Sequence, residues 1–179
     1  PLSDGTLIDA SVASDGSVVS AEGSITVAAT CDQVIANTAI AVAVSVAIAP
    51  DFDSAAGSGA GASSTVTTNN IVKAAVNGVD DLSVGGADGL SVLGTDSGSV
   101  DITVGSAAVS VGWFGASIGI SLAEIVNNDQ VVAEVQNSII QTGGNGDTGV
   151  PVEIRAEDTV TLETDSVATS LSISIGASG

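Results

Sequence analysis

Histidine, tyrosine and methionine are absent from this chain, and cysteine and tryptophan occur once each beside two phenylalanines and three prolines. Lys73 and Arg155 are its only basic residues. Without histidine, and with a single thiol, the side chains on which most metal, nucleophile and general-base chemistry relies are missing. Two basic residues against 21 acidic ones, a net charge of −19, argue against nucleic acid and anionic membrane surfaces, because both need clustered Lys and Arg. One cysteine excludes an internal disulfide framework and leaves the redox compartment open. No run of about 18 apolar residues occurs, so no membrane insertion by a helical span is encoded. The chain starts at Pro1 without a basic-then-apolar leader; either processing removed one or this is a window from a longer protein.

What remains is small, aliphatic and acidic. The 179 residues are 44% hydrophobic, and the apolar share is Val, Ile, Leu and Ala, enough to form a core despite the charge. Fifteen of the acids are Asp and six are Glu, and many of the Asp stand beside Gly, Asn or Ser, which is turn chemistry.

The sequence repeats itself. Ile25–Ile48 meets Leu90–Trp113 at a shift of 65 without a gap, placing Val27 on Val92, Thr38 on Thr103, Val44 on Val109 and Val46 on Val111. A further shift of 62 reaches Val152, with Ile154 on Val92, Leu171 on Val109 and Ile173 on Val111. Val66–Val76 matches Ile125–Val135 at a shift of 59, and Ile8–Val12 precedes Val72–Val76 by 64. The drop from 65 to 59 places about six extra residues near 50–56 in the first copy, read as an inserted surface loop. One domain, 1–179, thus divides into approximate repeats 1–65, 66–124 and 125–179. Its two ends differ in phase by only a few residues, which fits either a segment cut at repeat boundaries or a protomer whose end stacks on the next one's start.

Within each unit apolar residues alternate: Ile40, Val42, Val44, Val46 and Ile48 share one side of an extended segment and Ala39, Ala41, Ala43, Ser45 and Ala47 the other. Short strands are predicted at Gly23–Ala28, Leu82–Val84, Leu90–Leu93, Val100–Val104, Val131–Val135, Val150–Ile154 and Val160–Leu162. Turns are predicted at Ser14–Ser17, Gly85–Gly89, Asp96–Gly98 and Gly143–Asp147. Three periods of about 62 residues, each divisible into rungs of about 20, fit an all-β right-handed parallel β-solenoid (β-helix) with a stacked aliphatic ladder. The scarcity of aromatics suits a narrow core; β-sandwich modules are the alternative.

At these residues the chain resembles the repeats of very large bacterial surface proteins, the filamentous-haemagglutinin-like and fusobacterial leukotoxin-type filamentous adhesins. Such repeats run through an Ala/Gly/Val/Ser stretch, an Asn-containing strand and a V-x-A-x-V strand. The corresponding parts are Ala107–Ile120, Asn127–Val135 and Val150–Ala156, and again Ala39–Ala62, Asn69–Val76 and Leu90–Gly94. The resemblance implies a secreted, cell-surface β-solenoid acting as stalk, fibre or adhesin, and carries over no catalytic residue.

Each candidate site has an ordinary structural role beside the functional one. The carboxylate pairs Asp51/Asp53, Asp80/Asp81 and Glu157/Asp158 are spaced for turns, and lack the basic and aromatic companions of a sugar-cleaving site. Gly143-Gly-Asn-Gly-Asp147 resembles a calcium-binding nonapeptide with its Asp one residue early, so weak Ca²⁺ binding competes with a plain solvated turn; no other cofactor or metal is implied. Cys31 aligns with Ser97 or Asp96 and with Asp158, polar positions that predict a turn or surface. Trp113 is expected to fill a ladder position, with Phe114 beside it. If the larger residues point inward, the Ala/Ser/Gly side of Ala39–Ala49, Ser106–Ala116 and Val167–Gly179 forms a charge-free strip. Either another chain packs on that strip or another rung of the same chain covers it.

The expected function is that of a non-enzymatic, extracellular structural repeat protein of a fibre or filament. It extends as a homopolymer by stacking the Gly179 end on the Leu2 end, with lateral packing of fibres. An adhesin segment binding glycan or host protein through Pro50–Ser54 is the first alternative, and a β-helical carbohydrate-active enzyme the second.

Overall fold

A computed structural model describes residues 2–4, 6–47, 55–143 and 149–175. It is all-β, with no helix among the described residues. The strands are β1 (Leu2–Asp4), β2 (Leu7–Ala21), β3 (Ile25–Val46), β4 (Ala55–Thr68), β5 (Ile71–Val84), β6 (Leu90–Gly112), β7 (Phe114–Asn127), β8 (Gln130–Gln136), β9 (Ile140–Thr142) and β10 (Val152–Ser174). They form three open sheets, ordered β1-β4-β7, β2-β5-β8 (with β9 also on β5) and β3-β6-β10, and every pairing is parallel. The chain therefore passes three times through the same three sheets, each pass adding one layer of strands.

The registers reproduce the repeat alignment. Ile25 pairs with Leu90 and Val46 with Val111, the shift of 65; Leu90 pairs with Val152, the shift of 62. Val72 pairs with Val131, the shift of 59, and Ile8 with Val72, the shift of 64. The reason is the period of two. A one-residue slip would turn every aliphatic side chain of a strand to the other face, so matched positions hold the pairing. Val46 pairs with Val111 and Ala55 with Phe114, so eight residues of one copy stand against two of the next, placing the insertion at 47–54. The expected loop 50–54 itself lies outside the described residues.

The middle pass, covered on both sides, holds the driest core. Val66, Val72, Val76, Leu82, Leu90, Val92, Ile102 and Val104 are fully buried, each worth about 1.5–3 kcal/mol of hydrophobic transfer. They divide into one cluster around Val72, Val76, Val84, Leu90 and Val92 and a second around Val66, Val100, Ile102 and Val104.

Where β4 turns into β5, polar side chains stack from layer to layer. Buried Asn70 accepts from the Thr6 amide (3.3 Å), donates through Nδ2 to Gln33 Oε1 (2.9 Å) and donates its own amide to Asp129 Oδ1 (2.5 Å). Asn128 Nδ2 donates to Asn69 Oδ1 (3.1 Å) and Thr68 Oγ1 to Asn127 Oδ1 (3.2 Å). The corner between sheets is thus satisfied by the neighbouring copy, and each copy needs the next.

Two predicted turns are corrected. Ser14–Ser17 is a bulge inside β2, where the register shifts between Ala13 and Val18 and Gly16 takes φ 79°. Asp96–Gly98 is continuous strand within β6, bent at Gly98 (φ 149°), where a Cβ would stand 2.0 Å from the Gln33 carbonyl oxygen. In both places pairing to a parallel neighbour overrides local turn preference. Gly85–Gly89 is a turn as predicted, closed by Gly89 at φ 69°.

Candidate functional site

The three sheets are open at both ends. Strands β1, β2 and β3 form one set of edges and β7, β8 and β10 the other. The longest are β3, 22 residues without Pro, Lys or Arg, and β10, 23 residues without Pro or Lys. Ile25 and Ala47 donate their amides to the carbonyls of Gly89 and Val111, so odd-numbered residues of β3 face β6 and even-numbered ones aim N–H at the free edge. In β10, Ile175 donates to Gly112, and the Val160 amide, even-numbered, is taken instead by the Asp158 carboxylate (3.2 Å). A long, unbroken edge of this kind is a template for another strand.

A second feature lies on the broad faces. In the C-terminal halves of β3 and β6 the small residues point inward: Ala39, Ala41, Ala43 and Ser45, then Ser106, Ala108, Ser110 and Gly112. They meet Ala56, Ser58, Ala60 and Ala62 of β4 and Gly115, Ser117, Gly119 and Ser121 of β7. The sheets approach so closely that a Cβ on Gly119 would sit 2.6 Å from the Thr169 carbonyl oxygen. Ser117 and Ser172 hydroxyls bond across the gap at 3.0 Å, and Ser121 and Ser166 at 2.8 Å.

The expectation that larger residues turn inward is overturned here. Ile40, Val42, Val44 and Val46 of β3, with Val167, Leu171, Ile173 and Ile175 on and after β10, face outward and are 43–73% exposed. On the opposite face Phe114, Ile118, Ile120 and Leu122 of β7 are 60–69% exposed. The small-residue strip is covered by another sheet of the same chain. The parity of β6 carries the signal: Val100, Ile102 and Val104 are inward, and an unbroken strand puts Ser106, Ala108 and Ser110 inward too.

Between the outward ridges runs a groove of about 220 Å³, lined by Ile40 on one wall, Val167 on the other and Gly105 and Ala107 on the floor. Ile40, Gly105 and Val167 are one register column, so the groove is the side chain that Gly105 lacks. On the other face Gly57, Gly59 and Gly61 of β4 leave a flat track beside the β7 ridge.

Cys31 does pair with Asp96, and Asp96 with Asp158, yet Cys31 is buried within the core cluster, not at a turn or surface. The column points inward because β3 is one continuous strand. Asp96 is fully buried and neither carboxylate oxygen has a hydrogen-bond partner of good geometry. Burial raises its pKa above the ordinary carboxylate value, reinforced by Asp129 and Asp158, with the Cys31 thiol offsetting only part. Burial, then the Asp96 charge, likewise pushes the Cys31 thiol up, which removes thiolate reactivity.

The remaining candidates are not brought together. Asp80 and Asp81 lie in β5, with Asp81 half-buried. Glu157 pairs with Arg155 at 2.5 Å, while Asp158 caps Val160. Asp51, Asp53 and residues 144–147 of the calcium-like turn lie outside the described residues. Among the described residues no group of three or more acidic, Cys or His side chains is placed to hold a metal. Trp113 sits half-buried at the bend between β6 and β7. The reciprocal Lys73–Glu134 pair (2.7 Å) bridges two copies, and Glu134 raises the pKa of Lys73. No family model, curated protein or solved structure matches the chain.

Proposed function

We propose that this chain is a segment of a secreted structural protein, a right-handed parallel β-solenoid that extends head to tail into a surface fibre. The reading rests on one observation: in all three sheets the first pass leaves one edge open and the third pass the other, in matching register. Continuing that register sets β10 of one protomer beside β3 of the next, so that Val152 meets Ile25, Leu171 meets Val44 and Ile173 meets Val46. The same continuation brings Val131 of β8 to Ile8 of β2 and Ile125 of β7 to Leu2 of β1. Right-handed crossovers are the rule for parallel strands joined this way. The resemblance to filamentous adhesin repeats supports reading the fibre as a non-enzymatic one at a bacterial cell surface, with a glycan or host-protein partner at the inserted loop as the alternative.

Electron microscopy and light scattering test it. Fibres are expected from the wild type, and short particles from Ala36→Pro combined with Ala156→Pro. Both sites aim their N–H at a free edge and spare the bonds to β6, so proline removes the template without unfolding the layer. A wild type that stays a single protomer at high concentration refutes the reading.

A further inference from the structure

The outward aliphatic faces are a feature that head-to-tail stacking leaves bare. We propose that they are a lateral interface between copies of this chain, with the β7 ridge of one copy seated in the Gly105 groove of another. This deepens the fibre reading and rests on it for the number of contacts in a row, though not for the contact itself.

Three observations select the occupant. The first is charge. From Ile40 to Val46, Gly105 to Val111, Val167 to Ile175, Ala55 to Ser63 and Phe114 to Leu122 no outward residue is charged, whereas the flanking outward positions are Asp101, Glu163, Asp165 and Glu124. In a chain of net charge −19, these faces let two copies approach with no charged side chain at the contact.

The second is shape. The groove of about 220 Å³ exceeds the ~150 Å³ that admits a benzene ring, so an Ile or Phe knob enters it. The opposite face supplies such knobs in a single row, Phe114, Ile118, Ile120 and Leu122, beside the flat glycine track of β4.

The third is area. The twelve exposed side chains on the two faces offer apolar surface on the order of 1,000 Å², taking about 150 Å² per fully exposed residue from the lower end of the aromatic range. Counted over both partners, that lies near the lower limit for a specific interface, and the groove face alone, about 700 Å², exceeds the few hundred Å² of a patch that a monomer ordinarily leaves bare. Between two fibres the contact recurs at every protomer, so a weak pair becomes a strong seam.

A lipid bilayer is a poorer occupant. Inserting the faces would strip water from the unpaired N–H and C=O groups of the β3 and β10 edges. Because groove and ridge lie on opposite faces, the contact is heterologous and does not close: plates laminate without limit.

Two outward substitutions test this with the fold kept. Ile120→Lys charges the ridge. Gly105→Leu fills the groove, where a Cβ meets nothing nearer than Ile40 Cγ1 at 3.9 Å. Wild type is expected to give multilayer ribbons by electron microscopy and a concentration-dependent pair in sedimentation. Both variants, with unchanged strand circular dichroism, are expected to give single-plate fibres of the same length and at least a tenfold weaker pair. Ribbons and pairing unchanged in both variants overturn the proposal. So does a wild type that never pairs, or one that instead binds zwitterionic phosphatidylcholine vesicles in an Ile120-dependent way. If the wild type forms no fibres, the fibre reading falls, and sedimentation of wild type against Ile120→Lys still decides the lateral contact.

Discussion

Replacing Asp96 by Asn should stabilise this protein at neutral pH, against the usual direction of a core substitution. The wild-type carboxylate is fully buried, lacks a good hydrogen-bond partner and sits near Asp129 and Asp158. Its pKa in the folded chain therefore lies above the ordinary value of 3.8. The folded state then holds a proton that the unfolded chain has already released. Stability contributed by this group is complete below the ordinary carboxylate pKa and falls as pH rises toward the folded value, at up to about 1.4 kcal/mol per pH unit. Above the folded value the loss is constant. Asn keeps the shape and removes the charge, so the gain at pH 7 should be the linkage term alone, about 1.4 kcal/mol for each pH unit by which the folded pKa exceeds the ordinary value. For a chain of this length that is roughly 2–4 °C in Tm per kcal/mol. Thermal and urea unfolding of wild type and variant, followed by far-ultraviolet circular dichroism from pH 3 to 8, would read it. The two curves should converge near pH 3.5 and separate above it. A variant less stable at pH 7, or an equal gain at every pH, would falsify the burial argument.

The thin interior between the sheets allows a second stability test. Ser110 is fully buried with an unpartnered hydroxyl, so Ser110→Ala should raise stability by about 1 kcal/mol in urea unfolding, whereas Gly119→Ala should lower it because the methyl would press on the Thr169 carbonyl. Asn70→Ala strands the Thr6 amide and the Gln33 Oε1 at the corner, while its own backbone amide keeps Asp129, and should cost about 1–3 kcal/mol, with Asn70→Ser recovering part of it. Fibre bundling should increase with NaCl or Ca²⁺ as repulsion among −19 charges is screened within a Debye length of about 8 Å at physiological salt, read as turbidity. Turbidity indifferent to both would remove electrostatic control of bundling.

Much of the layering is legible in the residues because a parallel pair has only one register in which all the matched aliphatics share a face. Val27, Val92 and Ile154 align in the text and pair in space for that reason. Turn chemistry was less dependable. Gly85–Gly89 reads as a turn and is one, but Asp96–Gly98, also built of turn-forming residues, runs through as strand, held by β3 on one side and β10 on the other. Local preference of a few tenths of a kcal/mol yields to a ladder of backbone bonds on two sides.

The candidate surfaces were half legible. Alternation separated Ile40, Val42, Val44 and Val46 from Ala39, Ala41, Ala43 and Ser45, but a period of two is symmetric and names no inside. Cys31 was placed at the surface because its matched positions are polar, whereas the continuous strand carries it and Asp96 into the core.

The amino-acid order alone determined the number of layers, their registers, the position of the insertion and the acidic, non-basic surface, since each follows from matched side chains or from charge. Only the tertiary structure decided which face of the blade is buried. Strand β4 offers Ala, Ser and Gly to its partner sheet, the two backbones close to within the reach of a single methyl, and the large aliphatics are left no room except outside.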